Sequence, residues 1–299
     1  MKTDTLNLNT VHECNCILGK KTLHPLVSII NLSSKNWGQL DCLKVGFYAA
    51  LLNESFCKSF IYGREKCDFS DGTILFFSPG ETIEIKERAE IFHSKGWLLT
   101  FHPEFITGTS LGMNIGNYTF FNYQKSEALH LSFREQKNIC RCMEDIEKEL
   151  LWSIDIYSKA LISKYIEIFL DYCTRFYTRQ FTTRSEINKK IINKVEKIIE
   201  NVLLNRQINS FGVSMTKYCA SQLSLSDTYL EDLLKHETGM RMNEYIQIKC
   251  INIAKKSLLE TNKSYNQIAK DLGFPSSQHF SRLFKRITGI TPTEYKTQN

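Results

Sequence analysis

The chain has 299 residues, with 38 Lys+Arg against 32 Asp+Glu, 42% hydrophobic and 23% charged residues. That balance belongs to folded globular proteins and excludes wholesale disorder, and 14 Gly with 5 Pro leave no room for collagen-like sequence or long flexible linkers. No apolar run approaches the roughly 20 residues of a membrane helix, and the first residues lack the apolar segment of a secretory signal. A cytoplasmic chain is expected, whose 10 Cys are reduced thiols rather than a disulfide scaffold.

At about 100–200 residues per domain, two domains are expected. Charge divides the chain in the same way. Residues 1–183 carry 20 Lys+Arg and 21 Asp+Glu, whereas residues 184–299 carry 18 and 11. A near-neutral front and a basic back predict a sensing or assembly domain joined to a module that meets a polyanion.

Residues 24–32, 44–52, 57–62, 73–78 and 96–101 are rich in β-branched and aromatic side chains, with polar or Gly/Pro-containing breaks between them. This spacing predicts strands of a sandwich or barrel, with 118–123 as a further strand. From about Ser132 the apolar period becomes helical. Ile139, Met143, Ile146 and Leu150 form one stripe, and Leu161, Tyr165, Phe169, Tyr172 and Phe176 form the next. A short connection between two such helices predicts an antiparallel pair over about 132–179, packed on the strands or along a second subunit. The polar, basic stretch 179–185 is the expected hinge. Beyond it Ile191, Val195, Ile198, Ile199 and Leu203 open an all-helical half.

That half repeats itself. Leu233-Leu234-Lys235-His236-Glu237-Thr238-Gly239 and Asn243-Glu244-Tyr245 return as Leu283-Phe284-Lys285-Arg286-Ile287-Thr288-Gly289 and Thr293-Glu294-Tyr295, while Ala220 and Leu223 match Ala269 and Leu272. Each copy predicts a helix-turn-helix, over about 214–238 and 264–288. Ala220 and Ala269 let the second helix approach, and Leu223 and Leu272 fill the corner. Gly273 suits a positive φ, Ser226 and Ser276 cap the second helix, and Gly239 and Gly289 end it. Ser264 with Gln267, and Thr291 with Glu294, read as capping boxes.

The run Ile268-Ala269-Lys270-Asp271-Leu272-Gly273-Phe274, then Phe280-Ser281-Arg282-Leu283-Phe284-Lys285, then Gly289-Ile290-Thr291-Pro292-Thr293-Glu294-Tyr295, resembles the carboxyl-terminal pattern of the AraC/XylS family of bacterial transcription regulators. The resemblance covers about residues 187–299. It implies an α+β protein, with an N-terminal cupin-like β-barrel and helical pair followed by an all-α seven-helix domain. Residues 1–183 would be the effector or dimerisation domain (barrel about 20–125), most visibly at Gly72-Thr73-Ile74-Leu75-Phe76-Phe77-Ser78-Pro79-Gly80. Residues 184–299 would bind double-stranded DNA, with both recognition helices in successive major-groove segments. Activation of transcription, contact with RNA polymerase and a small-molecule effector follow from the resemblance alone, and a homodimer through the helix pair at 132–179 follows partly from it. No residue is assigned to the effector.

Carried over residue by residue, the second recognition helix presents Ser277, Gln278, Ser281 and Arg282 to bases, with Lys285 and Arg286 as phosphate anchors. The first presents Asp227, Thr228, Glu231 and Asp232, with Lys235 beyond them. Here the chain departs from the family. Asp232 stands where a basic residue is usual, so this helix either accepts from cytosine amino groups or docks weakly. Arg241 replaces the cap-forming Thr291 and weakens the start of its helix.

No enzyme is expected, and no cofactor. Hydrolase triads, phosphate loops, dinucleotide fingerprints and zinc-protease motifs are absent from the sequence, and no His follows Pro79-Gly80 where a cupin metal ligand would stand. His12, Cys14 and Cys16 have only a weak metal spacing. Cys140, Cys142, Cys219 and Cys250 fit buried structural thiols. Two other readings stay open: an alkyl-transfer DNA-repair enzyme with a regulator-like half, and a sensor or scaffold whose DNA binding has weakened.

Overall fold

The computed structural model describes residues 5–32, 42–54, 63–84, 95–204 and 215–298. The strand expected at 57–62 lies outside them. The chain forms two compact units, Met1–Arg184 and Ser185–Asn299.

The first unit runs β1 (Thr5–Leu8), α1 (Val11–Ile17), β2 (Val27–Asn31), β3 (Cys42–Val45), β4 (Tyr48–Asn53), β5 (Gly72–Phe77), β6 (Thr82–Glu84), β7 (Gly96–Phe101), α2 (Pro103–Ile106), α3 (Ser110–Asn114), β8 (Leu129–Leu131), α4 (Phe133–Leu151) and α5 (Ser158–Thr183). Two sheets form, one ordered β1-β3-β6 and one ordered β2-β7-β4-β5-β8. Only the β1–β3 pairing is parallel among these.

Both faces of the larger sheet are buried, which is why its strands read as apolar runs rather than as an alternation. Ile30, Leu98, Ala49, Leu51, Leu75 and Phe77 point to one side and pack with Leu8, Val11, Leu43 and Val45 of the small sheet and α1. Their neighbours face the helices, and there Phe76 lies 4.3 Å from the Phe120 ring and 6.3 Å from Tyr177 of α5. The expected barrel does not appear among the described strands, which make two packed open sheets.

Three local expectations change as well. The single strand over 44–52 breaks into β3 and β4 at Gly46, whose N–H donates to Leu8 O at 2.7 Å. A Cβ at Gly46 would stand 2.9 Å from Asn9 O, so the chain crosses β1 too closely for any side chain. Residues 118–123 hold one 3-10 turn, Thr119–Asn122, because Phe120 and Phe121 are both drawn into the core and a strand would separate them. The hinge expected at 179–185 is helical to Thr183. Arg179 forks onto Glu135 at 3.0 and 2.9 Å, and Arg184 is buried on Asp68.

The helical pair forms as α4 and α5. Ser132 and Glu135 make the capping box that opens α4, whose Ile139, Met143, Ile146 and Leu150 are buried as the period requires. In α5 the buried stripe is rotated from expectation. Ile162, Ile166, Phe169, Cys173 and Phe176 face inward, while Leu161 is exposed.

The second unit consists, among the described residues, of seven helices: α6 (Ser185–Leu204), α7 (Met215–Leu223), α8 (Asp227–Thr238), α9 (Met242–Glu260), α10 (Tyr265–Asp271), α11 (Ser277–Thr288) and α12 (Pro292–Gln298). The long α9 touches α6, α8, α10, α11 and α12 and forms the spine. Glu196 of α6 clasps it by accepting from Tyr245 Oη at 2.5 Å and pairing with Lys249.

Candidate nucleic-acid interface

The second helix-turn-helix is built from α10 and α11. Ile268, Ala269 and Leu272 pack on Phe280, Leu283 and Phe284, with Ile251, Ala254 and Leu258 of α9 beneath them. The small side chain of Ala269 permits that approach. Phe274, Phe280, Phe284 and Tyr295 continue as a chain of ring contacts 5.3–5.7 Å apart. Gly273 turns the corner at φ +74°. Ser276 Oγ accepts from His279 N at 3.1 Å, and Gly289 ends α11 in the left-handed conformation.

With Phe280, Leu283 and Phe284 inward, the helical period turns the intervening side chains out. Gln278, Arg282, Lys285 and Arg286 are exposed, and Ser277 and Ser281 are half-buried beside them. A cleft of about 420 Å³ brings together Ser277, Gln278, Ser281, Arg282 and Lys285, along with Tyr265 and residues 291–293. Arg286 donates to Gln247 Oε1 of α9 at 2.7 Å, so part of its guanidinium is already engaged. Gln247 and His279 share a second cleft with Arg282 and Arg286. Sequence reading missed Tyr265, Thr293, Gln247 and His279. Tyr265 carried a signal, as a large aromatic side chain directly behind the Ser264 cap with no place in the apolar stripe.

The first helix-turn-helix, α7 and α8, has the same frame with different chemistry. Cys219 and Ala220 are buried against Tyr229, Leu230, Leu233 and Leu234. Ser226 Oγ accepts from Tyr229 N at 3.1 Å, and Gly239 ends α8. Its turn holds Ser224 at φ +55°, where the second copy has Gly273. Asp227, Thr228, Glu231 and Asp232 are half-buried, and Lys235 is exposed. Asp227 is the first residue of α8, where a carboxylate suits the positive end of the helix dipole.

Glu231 has a structural task. Its Oε1 accepts from Met242 N, the first N–H of α9, at 3.2 Å. Arg241 supplies no side-chain acceptor there, although its own N–H donates to Glu244 at 3.0 Å. In the second copy Thr291 and Glu294 exchange both bonds of the box, and Pro292 stands where Met242 does. Proline has no N–H to satisfy, so its helix does not need a counterpart of Glu231.

Among the described residues no cysteine lines either cleft. Cys14 is in the core of the first unit, which separates it from the exposed His12 and Cys16. Among the described residues no group of three or more His, Cys, Asp or Glu is placed to hold a metal ion. Burial pushes the Cys14 and Cys250 thiols up to about 12 and Cys219 to about 11. Cys140 and Cys142 are half-buried rather than buried, and Cys140 donates to Glu54 at 3.6 Å. Burial and the Glu54 carboxylate hold the Cys140 thiol at about 12.

This frame defines a helix-turn-helix unit, and comparison with known proteins agrees. The helix-turn-helix domain family matches residues 219–298. The regulator YtdP of Bacillus subtilis is 37% identical over 79 residues, which are 26% of this chain and 10% of that protein. The transcriptional activator RhaR of Escherichia coli is 29% identical over 86 residues, which are 29% of this chain and 30% of that protein. A solved regulator from Chromobacterium violaceum, described as having an AraC-type DNA-binding domain, is 27% identical over 37% of this chain and 92% of that one, with a TM-score of 0.33. The chain thus matches less than a third of the length of either sequence relative. Its carboxyl-terminal unit carries an AraC-type helix-turn-helix domain. No helix of the described residues is long and apolar enough to cross a membrane.

Proposed function

We propose that this chain is a sequence-specific DNA-binding transcription regulator of the AraC type, working in the cytoplasm as an activator and not as an enzyme. The observation that carries the reading is the outward row of Gln278, Arg282, Lys285 and Arg286 on α11, directly opposite the buried Phe280, Leu283 and Phe284. In this reading Gln278 and Arg282 meet base edges in the major groove, Ser277 and Ser281 line the same cleft, and Lys285 and Arg286 hold phosphates. The first helix-turn-helix enters a neighbouring groove segment through Asp227, Thr228, Asp232 and Lys235. Because Glu231 is spent on α9 and the remaining acids face a polyanion, α8 contributes selection against wrong bases more than affinity.

Residues 1–183 serve as the effector and dimerisation domain, with the two packed sheets as an open counterpart of the cupin-like barrel, and residues 184–299 as the DNA-binding domain. Support for a homodimer comes from Leu151, Trp152, Ile154, Ile156 and Tyr157, all exposed where α4 gives way to α5. Apolar side chains clustered in this way mark an interaction surface. RNA polymerase contact rests on the family resemblance.

The test is selection of bound sites from random DNA by the full chain, repeated with Arg282→Ala and Asp232→Ala. The expected result is a motif with two blocks about one helical turn apart, one of which loses its base preference with each variant. Recovery of no motif at low salt overturns the proposal.

A further inference from the structure

Two cysteines are exposed among the described residues, Cys16 and Cys67. They differ in company. Cys16 lies one helical turn beyond His12 on α1, and i and i+4 side chains share a face. Its Sγ is 3.4 Å from His12 Nε2. The other ring nitrogen, Nδ1, is 2.8 Å from Thr22 Oγ1. Thr22 is itself held, because Asn15 Nδ2 donates to its Oγ1 at 3.2 Å and Asn15 Oδ1 accepts from Ser28 Oγ at 2.7 Å. Asn15 and Ser28 are both buried, so a line of hydrogen bonds anchors the surface imidazole in β2 of the larger sheet. In the tautomer in which Nδ1–H donates to Thr22 Oγ1, Nε2 is a base aimed at the thiol. Nucleophile, base and an orienting third group stand within hydrogen-bond reach of one another.

We propose that Cys16 is a nucleophilic modification site, activated by His12, for soft carbon electrophiles of the conjugated-carbonyl class. His12 Nε2 takes the thiol proton as Sγ bonds to the β-carbon of the electrophile. The π pair of the carbon–carbon double bond moves toward the α-carbon, and the imidazolium returns the proton there. One S–H bond and one C–C π bond are exchanged for one S–C and one C–H bond, with no oxidant and no leaving group. The setting favours addition over disulfide chemistry because Cys14, the other thiol of α1, is turned into the core and cannot resolve a disulfide. Apart from Cys16 and Cys67, the cysteines whose side chains are described are buried or half-buried. The site is independent of the DNA-binding reading, since it rests on α1, β2 and the segment between them alone.

The experiment treats the full-length protein with limiting N-ethylmaleimide at pH 7 and follows each cysteine by quenching, digestion and mass spectrometry. Cys16 is expected to react at least about ten times faster than Cys67. The variant His12→Gln brings Cys16 to the Cys67 rate and leaves Cys67 unchanged in the same sample. Thr22→Val, which removes only the orienting hydroxyl, lowers the Cys16 rate by a smaller factor. Equal rates for the two thiols in the unaltered protein, or a Cys16 rate that His12→Gln does not move, overturns the proposal.

Discussion

At the scale of single residues, the two halves of the internal repeat differ where one side chain has to do another's work. Ser224 holds φ +55° where Gly273 holds +74°. A side chain in the left-handed region costs about 1–2 kcal/mol, part of which glycine gives back in unfolded-state entropy. Ser224→Gly should therefore raise stability by about 0.5–1 kcal/mol, and Gly273→Ala should lower it by a similar amount, both read from urea unfolding of the full chain. Arg282 has the opposite character, being exposed, outside the core, and common to both clefts of α11. Arg282→Ala should leave the unfolding midpoint in place and cost about 1–3 kcal/mol of binding on the selected site. A loss equal on all sequences would instead make it a phosphate clamp, and an unchanged affinity would remove it from the interface.

Elements are held by a few polar joints that sequence periodicity does not announce. Asp68 and Arg184 are 116 residues apart, yet the Asp68 carboxylate accepts from Arg184 Nε at 2.9 Å and its side chain is 0% exposed. This pair fastens the end of α5 to the loop before β5. Asp68→Ala leaves a buried guanidinium uncompensated and should cost about 3–5 kcal/mol in urea unfolding, whereas Asp68→Leu combined with Arg184→Met should recover most of the loss. The polar composition of 179–185 pointed to a hinge because polar runs are more often solvated than buried. Only the fold, by bringing Asp68 and Glu135 to those arginines, shows that the helix continues to Thr183 and that Arg179 and Arg184 are paired. The α4 stripe was legible because that helix buries one narrow face. The α5 stripe was read one residue out of place, because α5 packs against both α4 and the sheet and buries a wider arc.

For the whole molecule, the charge excess on residues 184–299 predicts how binding responds to salt. Each phosphate contact releases condensed counterions, so log affinity should fall linearly with log salt, by about 0.9 per contact. Lys285→Ala should reduce that slope by about one contact and weaken binding equally on all sequences. The apolar residues at the α4–α5 junction predict the assembly state. Light scattering of the full chain at tens of micromolar should give twice the monomer mass, and Trp152→Ser with Ile156→Ser should return it to the monomer. A monomer in the unaltered protein would assign that surface to a different partner.

What the amino-acid sequence determined by itself is what local chemistry controls. The helix-turn-helix caps at Ser226 and Ser276, the stops at Gly239 and Gly289, and the inward and outward sides of α11 follow from hydrogen-bonding side chains, backbone freedom and a period of 3.6. What only the tertiary structure decided depends on partners distant in the chain. Strands buried on both faces carry no alternation to say how the sheets are arranged, so the two packed sheets of the described residues could not be read from their pattern. In the same way, nothing near Glu231 shows that it serves Met242 eleven residues on, and nothing near Thr22 shows that it orients His12. Those roles arise only when folding brings an unsatisfied donor and a suitable acceptor to hydrogen-bond distance.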